Sequence, residues 1–341
     1  MMGKKFISLK PFNNKIFYNN EVFNEHSSTG SIYLIAARKL LSKRNVEINT
    51  IDITPNAPTI KDVYMDLPYP WELKLWIRIF KNIKKNILFL GEPPIVNPFN
   101  HMRIFHLFFS KVYTWNDSII DNRKHFKYYL PIATNVIKIK DVPFKNKKLL
   151  TMMNMNWLPL LPFKLLSLST KELYTERVKS IDFFDKFYPS DFDLYGRGWN
   201  KPQRFSIRQR IIGYKKYQTY RGEFFQKDKY KILSKFKFCL CFENCEIAGN
   251  ISEKIFDCFK GGCVPIYWGA PNITDFIPKK CFIDFRKFKS YHELAEFLIT
   301  MQEETYKAYI KEINKFLLSK IFLKRWSAES FAKTFQEAII K

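Results

Sequence analysis

Several things are scarce or missing in this sequence. Glycine numbers only 11 in 341 residues, which excludes collagen-like or glycine-rich low-complexity structure. Acidic residues are few as well, 32 Asp+Glu against 57 Lys+Arg, for a formal net charge of +25. No run of 18 apolar residues occurs. The most apolar stretch, Trp157 to Leu168, is interrupted by Pro159, Pro162 and Lys164, so a membrane-spanning helix is not expected. The opening MMGKKFISLK lacks the apolar core and small-residue cleavage site of a secretory signal, and the expected location is cytoplasmic. A G-x-x-x-x-G-K-[ST] phosphate loop is absent, which argues against an ATPase. The five histidines, His26, His101, His106, His125 and His292, show no H-E-x-x-H spacing and read as surface or satisfied core groups. Internal repeats are absent too.

Cysteine is confined to one region: all six lie between Cys239 and Cys281. A disulfide scaffold would spread them through a short secreted chain. The spacing Cys239-x-Cys241-x3-Cys245 does not repeat the paired pattern of a zinc site. Cys239 and Cys241 alternate within an apolar run and read as small hydrophobes on one side of a strand. Asp191-Phe192-Asp193 has the D-x-D form by which some transferases hold a metal, but two acids at that spacing are common by chance, and no metal is expected.

What is present is a large core. Apolar residues make up 46% and aromatics 17% of the chain, which excludes disorder, and the length suits about two domains at roughly 100–200 residues each. The positive field attracts polyanions. Nucleic acid, an anionic membrane and a phosphorylated substrate are all admissible partners on charge. Part of the excess is attributable to an AT-rich coding bias toward Lys, Asn, Ile, Phe and Tyr.

Helical and strand periodicities alternate along the first third. Ser31 to Ser42 and Trp71 to Ile83 have helical apolar spacing; Val46 to Ile53, Asn86 to Leu90 and Lys111 to Trp115 read as strands. Near residues 140–150 a basic, proline-containing segment reads as a linker. A second series follows: strand Leu149 to Met155, helix Glu172 to Phe187, strand Phe192 to Tyr195, strand Phe236 to Phe242, helix Ser252 to Lys260 and strand Val264 to Trp268. C-terminal helices are expected at His292 to Phe316 and Ala328 to Ile340. Such alternation implies parallel α/β sheets. Two in series place a ligand between them, at the carboxyl ends of the strands.

The most informative stretch is Phe236 to Phe285, FKFCLCFENCEIAGNISEKIFDCFKGGCVPIYWGAPNITDFIPKKCFIDF. It reads as one β-α-β unit. A strand ends at Glu243-Asn244, Ser252 is a natural N-cap, Gly261-Gly262 ends the helix, and CVPIYWG returns as the next strand. Lys254 is the unusual choice, because the first turn of a helix is already electropositive. A lysine there makes a doubly positive anion site suited to a phosphate, with Glu253 able to accept hydrogen bonds from sugar hydroxyls. Spacing alone leaves a second reading open, an exposed lysine on a surface helix.

These residues resemble a known family. The order FxxCFEN, (I/V)(S/T)EK, (V/I)PIYWG, FIP and FI is similar to the signature of the α-1,3-fucosyltransferases, glycosyltransferase family 10. Weaker similarity extends to Leu173-Tyr174-Thr175-Glu176-Arg177, to Tyr195-Gly196-Arg197-Gly198-Trp199, and to Phe89-Leu90-Gly91-Glu92 with Thr114-Trp115. The resemblance implies the GT-B architecture: an acceptor-binding Rossmann-like domain over residues 1–146, a GDP-sugar-binding one over 147–310 and a helical tail over 311–341. It implies transfer of L-fucose from GDP-β-L-fucose to an acceptor sugar with inversion, and no essential metal or other cofactor.

By the same resemblance, Arg177 and Lys254 hold the diphosphate, Glu253 takes the ribose hydroxyls and Asn244 faces the nucleotide-sugar. Tyr195 lies near the nucleotide. Asn250 stands where the family usually has Tyr just before the EK segment, a departure that bears on donor choice. Glu92, in a Gly-Glu pair beyond an acceptor-domain strand, is the expected base; Gly91-Glu92-Pro93-Pro94 also reads simply as a turn. The acceptor is expected to be an oligosaccharide or glycolipid. Peripheral contact with an anionic membrane is expected through Lys81-Asn82-Ile83-Lys84-Lys85 and through Lys315, Lys320, Lys324 and Arg325. Two alternatives stay open: a GT-B transferase for another nucleotide sugar, and a basic nucleic-acid-binding protein. The second lacks recognition motifs and has its aromatics at core spacing.

Overall fold

The structure is a computed structural model that describes residues 5–12, 14–25, 31–53, 58–132, 142–158, 161–202, 211 and 213–340. It divides into two units, Met1–Asn135 with Lys320–Lys341, and Val136–Ser319.

The first unit contains a six-stranded, wholly parallel sheet. Its strands are β1 (Lys5–Lys10), β2 (Val46–Thr50), β3 (Lys61–Met65), β4 (Asn86–Leu90), β5 (Lys111–Thr114) and β6 (His125–Lys127), in the order β2-β1-β3-β4-β5-β6. Central β4, NILFL, is buried along its whole length, as a parallel strand covered on both faces should be. The expected strands at 46–53, 86–90 and 111–115 are present, and β1, β3 and β6 are additional to them.

The second unit holds a five-stranded parallel sheet. It comprises β7 (Lys148–Met153), β8 (Phe192–Tyr195), β9 (Phe236–Phe242), β10 (Val264–Trp268) and β11 (Ile283–Asp284), ordered β11-β10-β9-β7-β8. Helices Tyr174–Phe187 and Glu253–Lys260 make the crossovers β7–β8 and β9–β10. Gly196, just past β8, has φ +139°, and a Cβ there would lie 1.9 Å from the Asn154 carbonyl oxygen. The tight YGRGW turn therefore excludes any larger residue at this point.

Three expectations about boundaries change. The basic segment read as a linker lies partly at 133–141, outside the described residues, and from Phe144 it turns directly into β7. His26, Pro55 and Pro159 are likewise outside the described residues. The single helix expected at 292–316 is two, Tyr291–Thr300 and Glu303–Leu317. Met301 and Gln302 are extended between them, and this bend carries the Met301 side chain inward. Finally, residues 320–341 are not a separate tail. The apolar face of Ala328–Ile340 needs a partner and finds it in the first unit, with Phe331 at 4.9 Å from Tyr33 and Phe335 at 5.3 Å from Phe89, centroid to centroid. All six cysteines are free and buried, as their place in the apolar pattern predicts.

Candidate active site

The site grows from the carboxyl end of β9. Glu243 follows the last residue of that strand and is buried, 1% exposed. Its Oε1 accepts a hydrogen bond from the Ser252 backbone N–H at 2.8 Å, and its Oε2 accepts one from the Ser252 hydroxyl at 2.7 Å. Ser252 in turn caps the helix Glu253–Lys260, its Oγ accepting from Lys254 N–H at 3.4 Å. Gly269, after β10, allows this packing: a Cβ there would lie 2.4 Å from the Glu243 side chain.

Lys254 reaches back over this cap. Its Nζ donates to Ser252 Oγ at 3.0 Å and to Glu243 Oε2 at 3.3 Å. Burial pulls its pKa down, but the Glu243 and Glu253 carboxylates outweigh that and hold the ammonium above the ordinary lysine value. The doubly positive helix start expected from sequence is thus tempered by a buried carboxylate. Sequence reasoning did not assign this role to Glu243; the glutamate of FEN is the missed residue. Glu253 sits in the first helical turn with its side chain 58% exposed, 4.0 Å from Lys254. The ammonium groups of Lys254 and Lys229 hold its pKa below the ordinary glutamate value, so it stays a carboxylate.

Arg177 lies in the second turn of Tyr174–Phe187, placed there by the bond from its N–H to the Leu173 carbonyl at 3.0 Å. It is 4% exposed. One guanidinium nitrogen donates to the Phe242 carbonyl at 2.7 Å and to Asn244 Oδ1 at 3.0 Å, and the group lies 4.7 Å from the Tyr174 ring centroid. The Nε is buried with no hydrogen-bond partner, and no carboxylate lies within ion-pair distance among the described residues. Burial lowers its pKa, opposed by Tyr174 and Glu243. A buried cation with an unused donor is costly unless an anion completes it. Arg177 also depresses the pKa of Lys254, so the two cations share one electrostatic neighbourhood.

Asn244 is half-buried and orients Arg177, while its own carbonyl accepts from Leu173 N–H at 3.0 Å. Asn250 is placed differently. Its amide nitrogen donates to the Cys245 carbonyl at 3.2 Å and closes the 245–250 loop, which makes it a structural member of the site. Tyr195 ends the edge strand β8, separated from β9 by β7. Asp193, of the D-x-D, is held by Lys148 and Arg221, each at 2.7 Å.

Glu92 belongs to the other unit. It follows β4 and is exposed. Its loop is pinned from below: the N–H groups of Gly91 and Glu92 donate to Asp66 Oδ1 at 2.6 and 3.1 Å, and the Glu92 carbonyl accepts from Asn100 Nδ2 at 3.2 Å. Asp66 is buried beside Lys10. Burial raises the Asp66 pKa against the pull of Lys10, and it lowers that of Lys10 to about 8. The Asn100 carbonyl is held by His106 Nε2 at 2.9 Å, His106 Nδ1 meets His125 Nε2 at 3.0 Å, and His125 Nδ1 meets Asp121 Oδ2 at 2.9 Å. The Asn100 carbonyl and the Asp121 carboxylate can only accept, so His106 Nε2 and His125 Nδ1 are the donors at the two ends of this chain.

Residues 167–335 match the family described as glycosyltransferase family 10 (fucosyltransferase) C-term. The chain carries a glycosyltransferase family 10 domain. Among curated relatives, it is 41% identical over 73 residues to the α-(1,3)-fucosyltransferase of Helicobacter pylori, covering 21% of this chain and 15% of that protein. It is 34% identical over 109 residues to human GDP-fucose protein O-fucosyltransferase 3, covering 29% and 23%. The matches thus span less than a quarter of those relatives' own lengths. Among solved structures, an α1,3-fucosyltransferase with GDP superposes with a TM-score of 0.56 at 15% identity over 99% of this chain and 91% of the other. An α-glucosyltransferase in complex with UDP and DNA gives 0.54 at 10% identity over 98% and 99%. The fold is GT-B, two parallel α/β domains with helices at the C-terminus. The family 10 segment contains Arg177, Asn244, Glu253 and Lys254, and no described helix is long and apolar enough to cross a membrane.

Proposed function

We propose that this protein is an inverting glycosyltransferase that moves L-fucose from GDP-β-L-fucose to a hydroxyl of an acceptor glycan, α-1,3 to a GlcNAc- or Glc-type residue. The observation that carries this reading is Arg177, a buried guanidinium with an unused Nε and no carboxylate partner among the described residues, close in charge to Lys254. A diphosphate supplies the anion that Arg177 lacks.

The acceptor oxygen attacks the anomeric carbon while Glu92 takes its proton. The bond from that carbon to the β-phosphate oxygen breaks, and the electron pair leaves with GDP. The departing charge is met by the Arg177 fork, by the Lys254 ammonium and by the helix start at Glu253. A metal-dependent enzyme places a divalent ion at this point; here fixed cations fill the role and no cofactor is needed. Glu253 accepts from the ribose hydroxyls, and Tyr195 borders the nucleotide. In this reading the enzyme works in the cytoplasm, where buried free thiols persist. It takes an oligosaccharide or glycolipid acceptor and rests peripherally on an anionic membrane. Incubation with GDP-fucose and a panel of oligosaccharides, read by mass spectrometry, tests it. A product heavier by one deoxyhexose is expected. Transfer from a UDP-sugar instead, or from no donor, overturns the reading.

A further inference from the structure

The helix Leu73–Lys81 turns the wrong kind of face outward. Trp76 and Ile79 are buried against the sheet, yet Trp71, Leu73, Ile77, Phe80 and Ile83 are between 40% and 67% exposed. The face continues onto the neighbouring turn. Phe80 packs edge-on against Phe108 at 4.8 Å and Trp76 lies 5.1 Å from Phe105, which sets the exposed Ile104 and Leu107 beside it. A contiguous exposed apolar surface of this kind marks an interaction site.

Its charge names the occupant. From Trp71 to Leu90 the chain has five basic residues, Lys74, Arg78, Lys81, Lys84 and Lys85, against one acidic residue, Glu72, whose carboxylate accepts from the Tyr69 N–H at 2.7 Å. Arg78 is used internally, bound to Asp62 at 2.9 Å. Lys74, Lys81 and Lys84 form no ion pair among the described residues. An apolar, aromatic-edged helix face with free lysines along it is the composition of a helix lying in a lipid interface, and it suits anionic headgroups. A second copy of the chain would bring these lysines against their own kind.

We infer that this face, Trp71 to Ile83 with Ile104 and Leu107, docks the protein on an anionic lipid bilayer. The inference deepens the membrane contact of the proposed function by naming the surface that makes it. Lysine stems and apolar side chains enter the headgroup region while the ammonium groups stay among the phosphates.

Flotation of the full chain with phosphatidylcholine vesicles, with and without phosphatidylglycerol, tests this. Binding to the anionic vesicles at low salt is expected, with loss at high salt and little binding to pure phosphatidylcholine. The double variant Ile77→Glu/Phe80→Glu should lower partitioning ~10-fold or more. Lys74→Glu/Lys81→Glu should do likewise on anionic vesicles only. These positions are exposed, so the variants should fold, and an unchanged thermal shift with GDP would show that the second unit is intact. Binding that survives both double variants overturns this surface while leaving the membrane contact standing, to be sought at Lys320, Lys324 and Arg325. Absence of any vesicle binding overturns both. Self-association abolished by Ile77→Glu/Phe80→Glu without vesicle binding assigns the face to a second copy and also overturns the inference. None of these outcomes bears on GDP binding, which tests the transferase reading separately.

Discussion

Arg177 and Asn244 are joined by a 3.0 Å hydrogen bond from guanidinium to side-chain oxygen, across 67 positions of sequence. The bond aims a buried cation without giving it a counter-charge. An arginine whose role was to stabilise the fold would be paired with a carboxylate, because removing charge from water is costly. That placement supports the anion-binding role proposed for Arg177.

The first prediction follows directly. Arg177→Met should leave the unliganded protein within about 1 kcal/mol of wild type, because the two hydrogen bonds lost go to neutral acceptors and the cost of a buried charge goes with them. The same change should cut kcat/KM by roughly 3 kcal/mol of transition-state stabilisation, the scale of one lost oxyanion donor. Urea unfolding and steady-state kinetics on one preparation check both halves. A variant that unfolds while binding GDP normally would make Arg177 structural.

Glu243 should behave in the opposite way. Its carboxylate accepts from Ser252 twice and from Lys254. Glu243→Ala breaks the cap and strands a lysine, at a cost of about 3–5 kcal/mol in unfolding free energy. Ser252→Ala, which removes the cap hydroxyl alone, should cost about 1 kcal/mol. Equal effects of the two would mean that the buried pair contributes nothing.

The sequence made the β9-helix-β10 unit readable, because an apolar run, a serine cap and paired glycines mark its ends locally. Glu243 was not readable. Its role depends on β9 and the helix start lying side by side, and nothing in FEN shows that the glutamate turns inward. Lys10 escaped notice for a related reason: a strand ending in a lysine reads as exposed, yet Lys10 is fully buried. The break at Met301–Gln302 carries neither Gly nor Pro, so periodicity runs straight through it. Asn250 was readable as a departure from the family pattern, but its bond to Cys245 is a property of the folded loop.

Glu92→Gln should reduce kcat at least ~100-fold while leaving GDP affinity nearly intact, the range for loss of a general base. The loop itself is held by Asp66 and Asn100 through backbone groups, so the substitution leaves it in place. Isothermal titration with GDP beside a turnover assay separates the effects. Loss of GDP affinity would place the base elsewhere.

The histidine pair gives a pH prediction. Burial, opposed by the bond to Asn100 and reinforced by the charges of His125, His101 and Arg103, pushes His106 down to about 4. Its folded value lies below the unfolded value of about 6.5, so the unfolded chain binds the proton more readily. The contribution is complete above pH 6.5 and is lost as pH falls from there through 4, on the order of 3 kcal/mol in all. Other groups titrate in this window, so the readout is the difference between wild type and His106→Gln in unfolding free energy at pH 7 and pH 4.5. The gap should shrink at the lower pH. A constant gap would mean that His106 is not held neutral.

The central claim is that fixed side chains, not an ion, receive the charge of a departing nucleotide diphosphate. Thermal unfolding with GDP in the presence of EDTA tests it most directly. The account predicts a rise in melting temperature with GDP, none with UDP, and loss of the rise in Arg177→Met. A melting temperature that GDP leaves unchanged, or raises only when magnesium or manganese is added, would contradict it.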